Sequence, residues 1–331
     1  MTKVVGFMTG QLGLRGTEVA VYDYARYNEE ILGNKSFIFS YANADMSTLE
    51  KFENRFPGRV MLLGRELGGF GDIETVLLTQ DGIAKDDAYF YIIKGGYNDG
   101  GLLQNVKSVV HAVFTHNDPH GYKYAYVSDW LANHMGYNPE THAVPHIVSP
   151  LPETSDDLRG ELGIPHNATV FGCYGGKTEF NIQFVHEVMK QIVSERNDVY
   201  FIFMNIHNFY ADIVHDHPQT IFLDGSWDLL RKSKFINTCN AMLHARVGGE
   251  TFGLACAEFS QKNKPVITYG LSGERSHLEI LGEKAIQYNN RETLYDILNN
   301  LNEHMVHTDW NCYRQFSPEI IMNRFNNVFL Q

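Results

Sequence analysis

Short apolar runs alternate with helix-patterned stretches along the whole chain, and no other feature of the sequence limits the fold as much. The first block predicts strands at 4–8, 36–41, 60–63, 88–94, 109–115 and 124–128. A helix is expected at 17–30, where Val19, Tyr22, Ala25 and Arg26 share a face, and a short one at 130–135. Residues 145–165 then carry Pro145, Pro150, Pro152 and Pro165, which reads as a linker ending in a short helix at 155–162. A second block predicts strands at 169–174, 199–205, 220–223, 241–245 and 265–269. Its helices fall at 182–195, 227–234, after Gly253, and at 291–303. Ser317-Pro318-Glu319 marks the start of a last helix, 317–328. Strands alternating with helices pair in parallel and form an open, doubly wound sheet. The expectation is an α/β chain of two Rossmann-like domains, 1–146 and 166–312, joined by 147–165 and facing a cleft. Ligands of such sheets bind outside the carboxyl ends of the strands.

A chain of 331 residues has room for two such domains. Its formal charge of −12 argues against broad nucleic-acid binding, which needs Lys and Arg to neutralise phosphates. No apolar run is long enough for a transmembrane segment, although peripheral membrane contact stays open. The start, Met1-Thr-Lys-Val-Val-Gly-Phe-Met, lacks the apolar core of a signal peptide. Cys173, Cys239, Cys256 and Cys312 have no zinc-site spacing, and the first three sit in or beside apolar runs as small buried hydrophobes. The expected localisation is cytoplasmic.

The densest chemistry lies in Arg246-Val-Gly-Gly-Glu-Thr-Phe-Gly-Leu-Ala-Cys-Ala-Glu258. A glycine-rich loop here joins a strand to a helix start, whose free N–H groups and dipole suit a phosphate. Gly248, Gly249 and Gly253 let the backbone come close to a ligand. Glu250 in the loop and Glu258 on the helix can accept hydrogen bonds from sugar hydroxyls. Alternatively, Glu258 and Lys262 form a surface helix pair, and Glu250 favours a helix N-terminus.

Two glutamates in this frame, with Phe252-Gly253-Leu254 after the first and Lys264-Pro-Val-Ile267 after the second, resemble the donor signature of retaining GT-B glycosyltransferases, family 4 (glycosyl transferases group 1). The resemblance implies that Glu250 contacts the donor sugar and Glu258 the ribose, with Arg246, Gly249, Thr251, Phe252, Gly253 and Leu254 lining the donor site. It also implies that the last helix, about 313–331, returns to the first domain. Thr9-Gly-Gln-Leu-Gly-Leu-Arg-Gly16 is similar to the family's first loop, near donor sugar and acceptor, and brings in Gly13, Arg15 and Gly16. It also reads as an ordinary tight turn capped by Thr17. Arg15 there could reach a phosphate or an acidic acceptor. The loop does not carry the G-x-G-x-x-G fingerprint, which disfavours an NAD-dependent dehydrogenase.

His116, at the end of the expected strand 109–115 and followed by Val127-Ser-Asp-Trp130, resembles the family's histidine that bonds the donor sugar. His111, inside that strand, reads as a packed core residue. His116, Asp118 and His120 read only weakly as metal ligands, because no further ligand is suggested nearby. Family members carry Gly-Arg and then a lysine that bind the pyrophosphate. Here Lys177 follows Gly176 and Asn181 stands near the usual lysine, so one cation stands where two are expected, with Arg246 as a candidate second. His215 and His217 suggest no chemistry. The resemblance implies an enzyme that moves a sugar from a UDP- or GDP-type donor to a hydroxyl acceptor with retention, without cofactor or metal. A sugar-nucleotide epimerase or a phosphorylase on the same scaffold, and a noncatalytic sugar-binding protein, are the alternatives.

Overall fold

The computed structural model describes residues 2–210 and 217–331. The chain forms two compact units, Met1–Ser149 with Phe316–Gln331, and Pro150–Gln315.

In the first unit β1 (Val4–Met8), β2 (Lys35–Tyr41), β3 (Val60–Leu63), β4 (Ala88–Lys94), β5 (Lys107–Ala112) and β6 (Lys123–Tyr126) form one sheet in the order β3-β2-β1-β4-β5-β6. Every pairing is parallel. β1 is buried throughout and β4 nearly so, as expected of apolar strands covered on both faces. The last helix, Pro318–Phe329, belongs to this unit, as expected. Its Phe325 stacks on Tyr24 at 5.2 Å, and Tyr89 Oη donates to the Leu330 carbonyl at 3.0 Å. His111 is fully buried among these rings, with Tyr91 Oη at 2.7 Å and the Val144 carbonyl at 2.8 Å. Burial pushes its imidazole down to about 3, so it is neutral core.

The second unit contains β7 (Thr169–Tyr174), β8 (Val199–Met204), β9 (Thr220–Leu223), β10 (Ala241–His244), β11 (Gly249–Glu250), β12 (Val266–Tyr269), β13 (Glu274–Arg275) and β14 (Ile286–Tyr288). Six of them make a parallel sheet, β14-β12-β10-β7-β8-β9, while β11 and β13 pair alone. Numbered along each unit, both six-stranded sheets have the order 3-2-1-4-5-6. The chain direction across the sheet therefore reverses beside the first strand, between β1 and β4 and between β7 and β10. Crevices at such reversals hold ligands.

Several elements depart from expectation. The helix expected at 155–162 is cut to Arg159–Leu162. Thr154 Oγ1 accepts from Asp156 N and Asp157 Oδ1 from Arg159 N, so side chains take the backbone donors a longer helix would use. Residues 150–165 are held to the second unit, where the Arg159 guanidinium donates to the Pro165, Ala168 and Thr238 carbonyls. The helix expected at 291–303 breaks into Arg291–Asn299 and Leu301–His304. Leu49–Arg55 and Phe70–Leu78 are helices and β14 a strand without a sequence expectation. Among the described residues, no helix is long and apolar enough to cross a membrane.

Candidate active site

The loop after β10 is built around its glycines. Gly249 has φ +81°, and a Cβ there would lie 2.0 Å from the Glu274 carbonyl oxygen, because β11 runs against β13. Gly253 has φ +90° and opens the helix Leu254–Gln261. A Cβ on it would sit 3.1 Å from His277 Cβ and 3.3 Å from Glu250 Cβ. The close approach these two glycines permit is thus to the protein itself; only Gly248 faces open space.

Glu250 is clamped from two sides. Its Oε1 lies 3.1 Å from His244 Nε2, and its Oε2 accepts from Arg246 Nη1 at 3.0 Å. Burial alone would push the carboxyl up; the hydrogen bond to His244 and the Arg246 charge outweigh it and hold the carboxyl at about 2. The group is an anion at any ordinary pH. Arg246 also meets Glu179 at 2.6 Å, so its charge is already shared by two carboxylates.

Glu258 is not half of a surface pair with Lys262. It is only 8% exposed. Its Oε1 accepts from Lys232 Nζ at 2.8 Å, and its Oε2 from the Tyr174 hydroxyl at the carboxyl end of β7. The carboxylate keeps lone pairs for further donors. Around the pair, Thr251 and Leu254 are partly exposed, while Phe252 is buried with its ring 5.8 Å from that of Tyr313. Phe252 is thus an anchor for the loop.

Lys177 is exposed just past β7, and its side chain has no partner among the described residues. Asn181, standing where a second cation was sought, accepts from Val247 N at 2.9 Å and ties this loop to the glutamate loop.

In the first unit, β5 ends at Ala112, short of the expected 115. Phe114 turns outward, His116 N donates to its carbonyl at 2.8 Å, and His116 stands exposed in the following loop. The Tyr126 hydroxyl holds the His116 carbonyl at 3.1 Å, and the His116 ring meets Tyr97 edge-on at 5.2 Å. Asp118 and His120 serve that loop: Asp118 Oδ2 accepts from Asn98 N at 2.8 Å, and His120 Nδ1 contacts the Asp118 carbonyl at 2.6 Å. Among the described residues, no group of three or more His, Cys, Asp or Glu side chains is placed to hold a metal ion. His215 lies outside the described residues.

The first helix starts at Gly16 with Arg15 at its cap, so Thr17 is not the N-cap. Thr17 Oγ1 instead donates to Glu18 at 2.7 Å. Arg15 and Gly16 are exposed, and Gly13 is buried where a Cβ would lie 2.8 Å from Asp45 Oδ2. Burial pushes the Glu18 carboxyl up, although hydrogen bonds from Thr17 and Gln11 oppose it.

The sequence reading missed Lys232, His244, His277, Tyr174 and Glu18. Arg231, Lys232 and Lys234 crowd one helix, Leu229–Thr238, and only packing decides that Lys232 turns inward. His244 had one usable signal, its place near the end of the expected strand 241–245, which feeds a glycine-rich loop.

No protein-family model matches the chain, and no curated protein matches its sequence. Its fold does match solved structures. HepE of Anabaena, in complex with UDP and glucose, matches with TM-score 0.70 at 13% identity over 100% of both chains. WaaG, a glycosyltransferase involved in lipopolysaccharide biosynthesis, matches with TM-score 0.65 at 12% identity over 98% of this chain and 99% of its own. A Listeria monocytogenes protein assigned as a UDP-N-acetylglucosamine 2-epimerase matches with TM-score 0.60 at 13% identity over 98% and 95%. With two parallel sheets of Rossmann order and a last helix returned to the first unit, the chain has the fold of the GT-B glycosyltransferases.

Proposed function

We propose that the chain is a retaining glycosyltransferase that moves a sugar from a nucleotide-diphosphate sugar to a hydroxyl acceptor without a metal. The observation that carries the reading is the pair of carboxylates where β10 gives way to its helix. Glu250 and Glu258 are each held by a cation, and each keeps lone pairs free. Glu250 would receive a hydroxyl of the transferred sugar and Glu258 the ribose. Lys177 and the N–H groups at Leu254 would offset charge on the departing diphosphate. Arg246 serves the donor through Glu250, since its own charge is balanced. His116 would bond the donor sugar, and Arg15, with Gly13 and Gly16, would meet donor or acceptor. The acceptor would attack from the face the diphosphate leaves. HepE, bound to UDP and glucose, supports a UDP-type donor.

The Listeria monocytogenes neighbour favours a second reading, epimerisation of the sugar nucleotide. A thermal-shift screen with UDP, GDP, ADP, TDP and their sugars selects the donor, because a ligand of the native state raises stability by mass action. NMR of the products then separates transfer, which consumes the donor only with an acceptor, from epimerisation, which needs none. Transfer should survive EDTA. Loss restored by magnesium or manganese would overturn the metal-free mechanism.

A further inference from the structure

Behind Glu250 lies a line of side chains that the reading above does not use. His244 Nε2 faces Glu250 Oε1 at 3.1 Å, and its Nδ1 lies 2.9 Å from Thr268 Oγ1. Thr268 Oγ1 in turn lies 3.1 Å from His277 Nε2. His277 is fully buried, and its Nδ1 has no hydrogen-bond partner. The three residues come from the carboxyl end of β10, from β12 and from the helix Ser276–Leu281.

We propose that His277 and Thr268 set the tautomer of His244, which thereby acts as the positioning residue that aims the Glu250 carboxylate at the sugar. A carboxylate only accepts, so His244 Nε2 must carry hydrogen. In neutral His244, Nδ1 is then a bare acceptor that needs the Thr268 hydroxyl proton. The Thr268 oxygen, having spent its proton, accepts from His277 Nε2–H. Every bond in the line runs one way, from His277 to Glu250. The line ends in an unpartnered acceptor at His277 Nδ1 and strands no proton there. Protonating His244 would turn its bond to Thr268 round; the Thr268 hydroxyl proton then either loses its acceptor or goes to His277 Nε2 and moves a hydrogen onto that buried, unpartnered Nδ1, and either outcome is costly. Burial pushes the His277 imidazole down to about 3. The charged groups facing the line are Glu250, Arg246 and Arg275. Gly253 stands beside the line: its φ of +90° disfavours any side chain, and a Cβ there would crowd His277 Cβ at 3.1 Å and Glu250 Cβ at 3.3 Å.

The aiming role rests on the glycosyltransferase reading; the one-way line does not. The test uses the full chain with ¹⁵N-histidine and ¹³C-glutamate labels. NMR should find His244 and His277 both neutral with hydrogen on Nε2; hydrogen on Nδ1 of His277 overturns the proposal. In His244→Phe, folded by its melting temperature, the Glu250 titration should move upward, and in His244→Gln, whose amide still donates, it should move less. An unmoved Glu250 in His244→Phe overturns the proposal. With the donor found by the screen, His244→Phe should lower kcat about tenfold or more at unchanged KM, and His244→Gln should recover most of it. Full kcat in His244→Phe overturns the aiming role. If wild type turns over no nucleotide sugar, the transferase reading and the aiming role fall together, while the NMR result still decides the one-way line.

Discussion

The two units share a strand order and differ in what they place at its reversal. In the second unit the edge between β7 and β10 holds carboxylates that are tied down: Glu258 by the Lys232 cation, and Glu250 by the Arg246 cation and a hydrogen bond with His244. In the first, the candidate side chains Arg15 and His116 stand exposed, and the buried carboxyl of Glu18, three residues past Arg15, is held by the neutral side chains of Gln11 and Thr17. Buried charges persist only when paired, so the second site is bound up with stability; exposed side chains can change without melting the fold. The same topology thus carries one pre-set candidate site and one open candidate site.

The largest test of that contrast is Lys232→Ala. It leaves Glu258 buried without its cation and should cost about 3–5 kcal/mol, read as a clear drop in melting temperature. His116→Ala should melt with wild type. Equal melting of the two variants would erase the distinction.

Turnover gives the next effect. Glu250→Gln should lower kcat by about 10²–10³-fold, the scale of one lost transition-state contact, while nucleotide affinity stays nearly intact. His116→Ala should lower kcat/KM by roughly ten- to a thousandfold, again without changing nucleotide binding. If nucleotide binding falls with His116→Ala, the open site is not a sugar site.

Glu258→Gln should weaken binding of nucleotide and nucleotide sugar alike by about 1.5–3 kcal/mol in calorimetry. Unchanged affinity would make the Lys232–Glu258 pair purely structural.

The smallest effect should be shared by both units. His111 and His277 are each pushed by burial down to about 3, against about 6.5 unfolded. The unfolded chain then binds the extra proton, so stability is present above about pH 6.5 and falls with acid. Between pH 7.5 and 5.5 each histidine should cost about 1.4 kcal/mol. The lowered Glu250 acts with the same sign but only below about pH 4.3. His111→Gln and His277→Gln should each flatten the melting curve against pH. If only one does, the two cores differ in a way their shared topology hides.

The sequence by itself determined the architecture, because it is written in local pattern. Apolar runs bounded by glycine and proline mark buried parallel strands, and Ser317-Pro318-Glu319 marks the last helix. The glycine-rich loop with Glu250 and Glu258 was legible for the same reason: its residues are neighbours in the chain. What surrounds those carboxylates was not. Lys232 reaches Glu258 across 26 residues, Tyr174 across 84, and His277 meets Thr268 from another element. Nor could the motif tell that Gly249 and Gly253 make room for Glu274 and His277. Periodicity and spacing report which face a residue lies on; which partner neutralises a buried charge is decided only when separate strands and helices pack together.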